Sequence, residues 1–249
     1  MKGIILAGGT GSRLYPLTSV TNKHLLPVGD KPMILHSVKK LVDVGIDDIM
    51  IITGTEHMGD MISLLGSGKK YNCKFTYKVQ DEPDGIAGAL LLCEDFVSGN
   101  DMCVLLGDNI FKESLQDAIT VFKESNPHLP KCVLNLVEVD DPTRFGVPTI
   151  KNNQIIEIIE KPRKPNSKYC VTGIYLYDNR VFDFIKSLKK SKRGEYEITD
   201  VNNSYIQNGK VMYNIFKSWW TDAGTHASYQ NANRRYFFDS KKGHEYDQW

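Results

Sequence analysis

No apolar run in the 249 residues approaches the length of a membrane helix, and the opening run, Ile4 to Ala7, is far shorter than a signal-peptide core. The expected location is therefore the cytoplasm. Charge bias is missing too: 31 Lys and Arg against 30 Asp and Glu leave a net +1, which gives no electrostatic footprint for nucleic acid or a membrane. The one basic run, Lys186 to Arg193, holds five cations and no aromatic, and is expected to be a solvated helix end. Cysteine is sparse and unpatterned. Cys73, Cys93, Cys103, Cys132 and Cys170 form no C-x-x-C pair and have no nearby His, so they fit reduced core residues rather than disulfides or metal ligands. No internal repeat, low-complexity segment or linker is visible, and a chain this long can bury a sizeable core. A single domain over 1–249 is expected, with residues up to about 130 forming one half and those from about 131 the other.

Two glycine motifs are incomplete. A dinucleotide fingerprint lacks its third glycine, since position 14 is Leu, and lacks an acid about 20 residues on, where the chain reads Val20-Thr-Asn-Lys-His-Leu-Leu-Pro27. Gly66-Ser-Gly-Lys-Lys70 resembles the end of a Walker A loop, but Ser63 stands for the leading Gly and Lys70 for the magnesium-binding Ser or Thr, so a solvated turn is expected. What is present is a short apolar strand running into Gly8-Gly-Thr-Gly-Ser-Arg13. Such a loop exposes successive backbone N–H groups to a polyphosphate, with few Cβ atoms in the way. The glycines alone are equally consistent with a tight turn. Arg13, a fixed cationic fork, shifts the balance to phosphate binding.

Apolar runs at Gly3 to Ala7 and Ile49 to Thr53 bracket a helical pattern from Met33 to Val44; Cys73 to Val79 and Met102 to Leu106 bracket a second around Ile86 to Phe96. That is an α/β pattern of parallel strands covered on both faces. Strands are then expected at Cys132 to Val139, Gly146 to Ile150, Ile155 to Ile159 and Cys170 to Tyr177, antiparallel or mixed. Helices at Arg180 to Lys190 and Thr199 to Gln207, a strand at Val211 to Phe216 and a helix from near His226 complete the reading. The glycine loop and Asp108 both follow strand C-termini, where open α/β sheets place ligands.

Gly8-Gly-Thr-Gly-Ser-Arg-Leu14, Lys23-His-Leu-Leu-Pro-Val28, Gln80-Asp-Glu-Pro-Asp-Gly-Ile-Ala87, Leu105-Leu-Gly-Asp-Asn109, Arg144-Phe-Gly-Val147, Glu160-Lys-Pro162, Val171-Thr-Gly-Ile-Tyr175, Glu195-Tyr-Glu-Ile-Thr-Asp200 and Trp220-Thr-Asp-Ala-Gly-Thr225 stand in one order along nearly the whole chain. Together they resemble the sugar-1-phosphate nucleotidylyltransferases, the thymidylyl-transferring members most of all. The resemblance implies a Rossmann-like nucleotide-diphospho-sugar transferase fold with a mixed, mostly parallel sheet flanked by helices. It also implies dTTP and glucose 1-phosphate as substrates, with dTDP-glucose and pyrophosphate as products. By the same resemblance Gly8, Gly9, Thr10, Gly11, Ser12 and Arg13 face the nucleotide phosphates, and Gln80 and Gly85 the pyrimidine, with Pro83 a further substrate-binding candidate. Gly146, Glu160, Val171 and Tyr175, with Glu197 as a further candidate, line the sugar pocket, and Lys161 meets the incoming sugar phosphate. A uridylyltransferase, or a non-catalytic nucleotide-sugar-binding subunit, are the alternatives; one methyl group is worth only about 0.8 kcal/mol.

Joining two polyanions calls for positive charge, magnesium and in-line alignment. Arg13, Lys23 and Lys161 supply three cations, although an arbitrary lysine is usually a surface group. Asp108, ending an apolar strand, and Asp222 are two hard oxygen ligands suited to Mg²⁺; a loop-capping role is the competing reading for Asp222. A glycosyltransferase D-x-D pair is missing, since Asp108-Asn-Ile110 lacks the second acid. Three features depart from the pattern: His24 where many members have Gln, Ala223 where Thr is usual, and a C-terminus short of the longer members' extension. The aromatic residues Tyr229, Tyr236, Phe237, Phe238, Tyr246 and Trp249 in that region either pack on the chain's own core or form a subunit contact, and a homo-oligomer is expected.

Overall fold

The structure, a computed structural model, describes residues 1–240. In chain order the first half comprises β1 (Lys2–Ala7), the short pair β2 (Pro27–Val28) and β3 (Lys31–Pro32), α1 (Met33–Val42), β4 (Asp48–Gly54), α2 (Met58–Leu65), β5 (Lys74–Gln80), α3 (Gly85–Leu91), α4 (Glu94–Val97), β6 (Met102–Leu106), β7 (Asn109–Phe111) and α5 (Gln116–Glu124). The second comprises β8 (Lys131–Glu138), β9 (Gly146–Lys151), β10 (Gln154–Glu160), β11 (Tyr169–Tyr177), α6 (Val181–Ser187), α7 (Ile198–Asn208), β12 (Lys210–Ile215), β13 (Trp220–Asp222) and α8 (His226–Ser240).

Seven strands form the main sheet in the order β12-β8-β11-β6-β1-β4-β5. All neighbours are parallel except at β11, which runs against both β6 and β8. The sheet is thus mixed and mostly parallel. Period-two alternation sends successive side chains to opposite faces. Ile5, Ala7, Ile49, Ile51, Cys103 and Leu105 join a core with α1, α2 and α5, whereas Ile4, Leu6, Met50, Ile52, Met102 and Val104 join one with α3, α4, α6 and α7. The edge strand β5 exposes Lys74, Thr76 and Lys78 between half-buried Phe75 and Tyr77, charges that discourage further strand pairing. All five cysteines are free and buried, and burial pushes their thiols up, to about 11 at Cys73 and about 12 at Cys93 and Cys103.

Some element bounds differ from expectation. The helix expected around Ile86 to Phe96 is two helices, because Leu92 and Cys93 turn tightly with N–H groups bonding back three residues to Ala89 and Leu90. Helices α2 and α5 were not anticipated. Of the four mid-chain strands, two enter the main sheet, while β9 and β10 form a separate antiparallel hairpin. At the Walker-like stretch, Lys69 and Lys70 are exposed on a 3₁₀ turn, as a solvated turn requires. The basic run is not a helix end alone: α6 stops at Ser187, and Lys190 and Arg193 pair with Asp84 and Glu197 from the loop beyond. Within α8, Tyr229 donates to the Pro27 carbonyl at 2.6 Å and Tyr236 to Asp30 at 2.7 Å, so these two aromatics pack on the chain's own β2–β3 pair. Phe237 and Phe238 lie 44% and 62% exposed. The expectation for Tyr246 and Trp249 falls outside the described residues. Among the described residues no helix is long and apolar enough to cross a membrane.

Candidate active site

Strands β1 and β6 are adjacent and in register, Leu6 beside Leu106, so the loops that follow them open at one edge of the sheet. The first is the glycine loop and the second carries Asp108. Gln80 ends β5 at the same edge, and together they border a cavity of about 470 Å³. Gly8, Gly9, Thr10 and Arg13 line it from the loop, Gln80, Pro83 and Gly85 from one end, and Gly146, Glu160, Lys161, Val171 and Tyr175 from the other, with Lys23, Asp108 and Asp222 between. Gly11, Ser12 and Glu197 are not among the lining residues. Gly11 instead shapes the loop: it sits at φ +69, and its carbonyl accepts from the Thr18 hydroxyl at 3.0 Å. Glu197 is taken by Arg193, at 2.7 Å.

Asp108 is buried, and the Lys23 ammonium is paired with it. Burial by itself would raise this carboxyl, but the charge of Lys23, then that of His24 once acid protonates its ring, and hydrogen bonds from Lys23 and Asn109 outweigh it and hold Asp108 well below the usual carboxylate range. Asp222 goes the other way: burial, then the Asp108 charge, raise it against the opposing Gly224 N–H, Lys23 and Arg13. A Cβ built on Gly224 would lie 2.7 Å from Asp222 Oδ1, 3.1 Å from Arg13 Nη2 and 3.4 Å from Asp108 Oδ2, so both carboxylates and the guanidinium converge on one point. Two carboxylates whose repulsion is only partly relieved fit a hard divalent cation. Among the described residues no group of three or more His, Cys, Asp or Glu is placed to hold a metal, so such a cation would complete its shell with substrate oxygens and water.

The far end of the cavity is set by β10 and β11. Glu160 accepts from the Thr199 hydroxyl at 2.6 Å and meets Lys161 Nζ at 3.2 Å. Lys161 has φ +44, a left-handed conformation that costs a non-glycine residue about 1–3 kcal/mol; its N–H bonds the Phe145 carbonyl at 3.0 Å. The same left-handed conformation occurs at turns such as Asn152-Asn153, but at Lys161 it stands at the cavity wall. In β11 the pairing with β8 shifts between Val171 and Tyr175, and the irregularity is held by Asn135, which donates to the Ile174 carbonyl at 3.1 Å, and by Asn109, which accepts from the Gly173 N–H at 2.8 Å.

Sequence reasoning missed two contributors. Arg144 lies 3.8 Å from Asp222 and is a fourth cation at the cavity, inside a block whose other residues signalled the site. Asn109 is 2% exposed and ties Asp108, Gly173 and the Trp220 indole together. The two substitutions noted in the sequence also acquire reasons. His24 is buried with Nδ1 at 2.7 Å from Asn22 Oδ1, and burial, then Lys23, lower it to about 3, so the ring is neutral. Ala223 is fully buried in the apolar cluster under α8, with Val28, Met33, Ile110 and Ala232.

Residues 2–237 match the nucleotidyl transferase family. A glucose-1-phosphate thymidylyltransferase from Neisseria meningitidis is 42% identical over 93% of this chain and 81% of its own length. The crystal structure of a Bacillus anthracis protein assigned as a glucose-1-phosphate thymidylyltransferase, in complex with a sucrose, superposes with a TM-score of 0.91 at 56% identity, over 100% of this chain and 98% of that one. A UDP-glucose pyrophosphorylase from Acinetobacter baumanii shares the fold alone, with a TM-score of 0.81 at 20% identity over 97% and 94% of the two chains. With the glycine loop, paired aspartates and strained lysine standing where the matching sequence runs, the chain belongs to the nucleotidyl transferase family.

Proposed function

We propose that this chain transfers a thymidylyl group from dTTP to glucose 1-phosphate, releasing pyrophosphate and forming dTDP-glucose. The observation that carries the reading is the convergence of Asp108, Asp222 and Arg13 on one point between the glycine loop and the Glu160–Lys161 corner. The relatives named glucose-1-phosphate thymidylyltransferase support the choice of nucleotide and sugar. A phosphate oxygen of the sugar phosphate bonds to the α-phosphorus of the nucleotide. The bond from that phosphorus to the β-phosphate bridging oxygen breaks, and its electron pair leaves with pyrophosphate.

The sugar phosphate is already a nucleophile, so the protein aligns and neutralises more than it moves protons. The glycine loop's N–H groups and Arg13 receive the charge that grows on the leaving pyrophosphate. Lys161 steers the incoming phosphate, and Glu160, fixed by Thr199, accepts from sugar hydroxyls. Mg²⁺, held by Asp108 and Asp222, supplies further charge neutralisation at the phosphates when bound. With phosphates at the loop and sugar at Glu160, the wall of Gln80, Pro83 and Gly85 is left for the base. A cytoplasmic location and a homo-oligomer belong to the same proposal.

Pyrophosphate release measured with Mg²⁺, dTTP or UTP, and a panel of sugar 1-phosphates tests the reading. Turnover is expected with dTTP and glucose 1-phosphate and is expected to stop on adding EDTA. Absence of turnover with every pair, or full activity in EDTA, overturns it.

A further inference from the structure

We propose that Asp84 is a positioning residue that locks the Gln80 amide in one orientation, making the base pocket select thymine or uracil against cytosine. The proposal rests on the nucleotidyl-transfer reading, which leaves the Gln80 wall to the base. Gln80 Nε2 donates to Asp84 Oδ1 at 3.1 Å and lies 3.4 Å from the Gly85 carbonyl. A carboxylate only accepts, so the amide nitrogen is committed to that side. Gln80 Oε1 is turned to the opposite side, over the glycine loop, where a Cβ built on Gly8 would come within 3.0 Å of it. The group Gln80 offers the cavity is therefore an acceptor. Thymine and uracil present a ring N–H at N3 to such an acceptor, whereas the N3 of cytosine is itself an acceptor and meets it with lone-pair repulsion.

Asp84 is fixed in its turn. Its Oδ2 lies 3.8 Å from Lys190 Nζ, and its carbonyl accepts from the Tyr196 N–H at 2.8 Å, both from the loop between α6 and α7. Space for the carboxylate comes from Gly88, in the interior of α3, where a Cβ would lie 2.4 Å from Asp84 Oδ1. A glycine is unfavourable inside a helix. Here it admits the one side chain that orients Gln80.

The test compares wild type with Asp84→Asn and Gly88→Ala. It reads kcat/KM for dTTP and dCTP with glucose 1-phosphate, and the binding of dTDP and dCDP by calorimetry. Wild type is expected to favour thymine by about a hundredfold or more. The Asn replacement donates as well as accepts and so tolerates either Gln80 orientation; the thymine preference should fall about tenfold, with dCTP turnover rising in absolute terms. A merely structural role would lower both nucleotides together. Gly88→Ala, which crowds the carboxylate from the helix side, should shift the ratio in the same direction and serves if Asp84→Asn does not fold. An unchanged ratio in the folded variants, or a wild type indifferent to the base, overturns the proposal. If wild type turns over no dTTP, the functional reading fails, and the dTDP-to-dCDP binding ratio alone decides the role of Asp84.

Discussion

Asp108 and Asp222 share one cavity but are displaced in opposite directions, and their contributions to stability therefore have opposite signs. Asp108, lowered by Lys23 against its burial, stabilises the fold above its unfolded pKa and loses that contribution as pH falls through the folded value. Asp222, raised by burial and by Asp108, holds its proton more tightly when folded, so ionising it penalises the fold at neutral pH. That penalty vanishes below about pH 4, where the folded and unfolded carboxyls are both protonated. Asp222→Asn keeps the acceptor for the Gly224 N–H and removes the charge. Without metal it should raise Tm at pH 7. The gain should disappear below pH 4, turnover should fall by about a hundredfold or more, and Mg²⁺ should raise the Tm of wild type but not of the variant. A variant that melts below wild type at pH 7 would show that the two carboxylates do not repel. The aspartates and Arg13 were legible as candidates because each stands in a motif, although Asp222 also accepts from the Gly224 N–H at 2.7 Å, the loop-capping role that competed with metal binding. Arg144 and Asn109 were not, since an arginine 3.8 Å from Asp222 and an asparagine tying β7 to β11 acquire their roles only from partners far away in sequence.

At the scale of elements, the β9–β10 hairpin stands outside the main sheet yet carries Gly146, Glu160 and, at its end, Lys161. Besides the burial of Val147, Ile155 and Ile158, one tie that holds it is Asn203 on α7. Its Oδ1 accepts from the Ile158 N–H and its Nδ2 donates to the Ile158 carbonyl, both at 2.9 Å, so one side chain stands in for a neighbouring strand. Asn203→Ala leaves both backbone groups without that partner and should destabilise the protein by about 1–3 kcal/mol. Because the loss falls on the strand leading to Glu160 and Lys161, KM for glucose 1-phosphate should rise more than kcat falls. Steady-state kinetics checks this, and an unchanged KM would mean that the hairpin is held from elsewhere. The hairpin's strands were readable from their alternation and from the Asn152-Asn153 turn, where both residues have positive φ. Its detachment from the sheet was not, because alternation gives a strand's faces and not its neighbour. Likewise α2, with a buried stripe of only Met61 and Leu65, is too short for its periodicity to stand out.

Across the whole molecule, the two halves expected on either side of residue 130 are joined edge to edge: β11 and β8 from the second continue the sheet directly from β6 of the first. Both hydrophobic layers also draw on each half, Ile5 and Ile49 with Val133 and Ile174 on one face, Ile4 and Ile52 with Leu134 and Tyr175 on the other. Separating the halves would expose the β6 edge and open both cores, so the two halves are expected to depend on each other for their burial. Denaturant unfolding should therefore be one transition. Trp219 and Trp220 are packed in the second half, so their fluorescence follows that half, while amide exchange in β1 and β4 follows the first. The two probes should give the same midpoint and the same free energy. Exchange from β1 and β4 persisting after the fluorescence transition is complete would show that the first half folds without the second, and that the shared sheet is a docking surface rather than a common core.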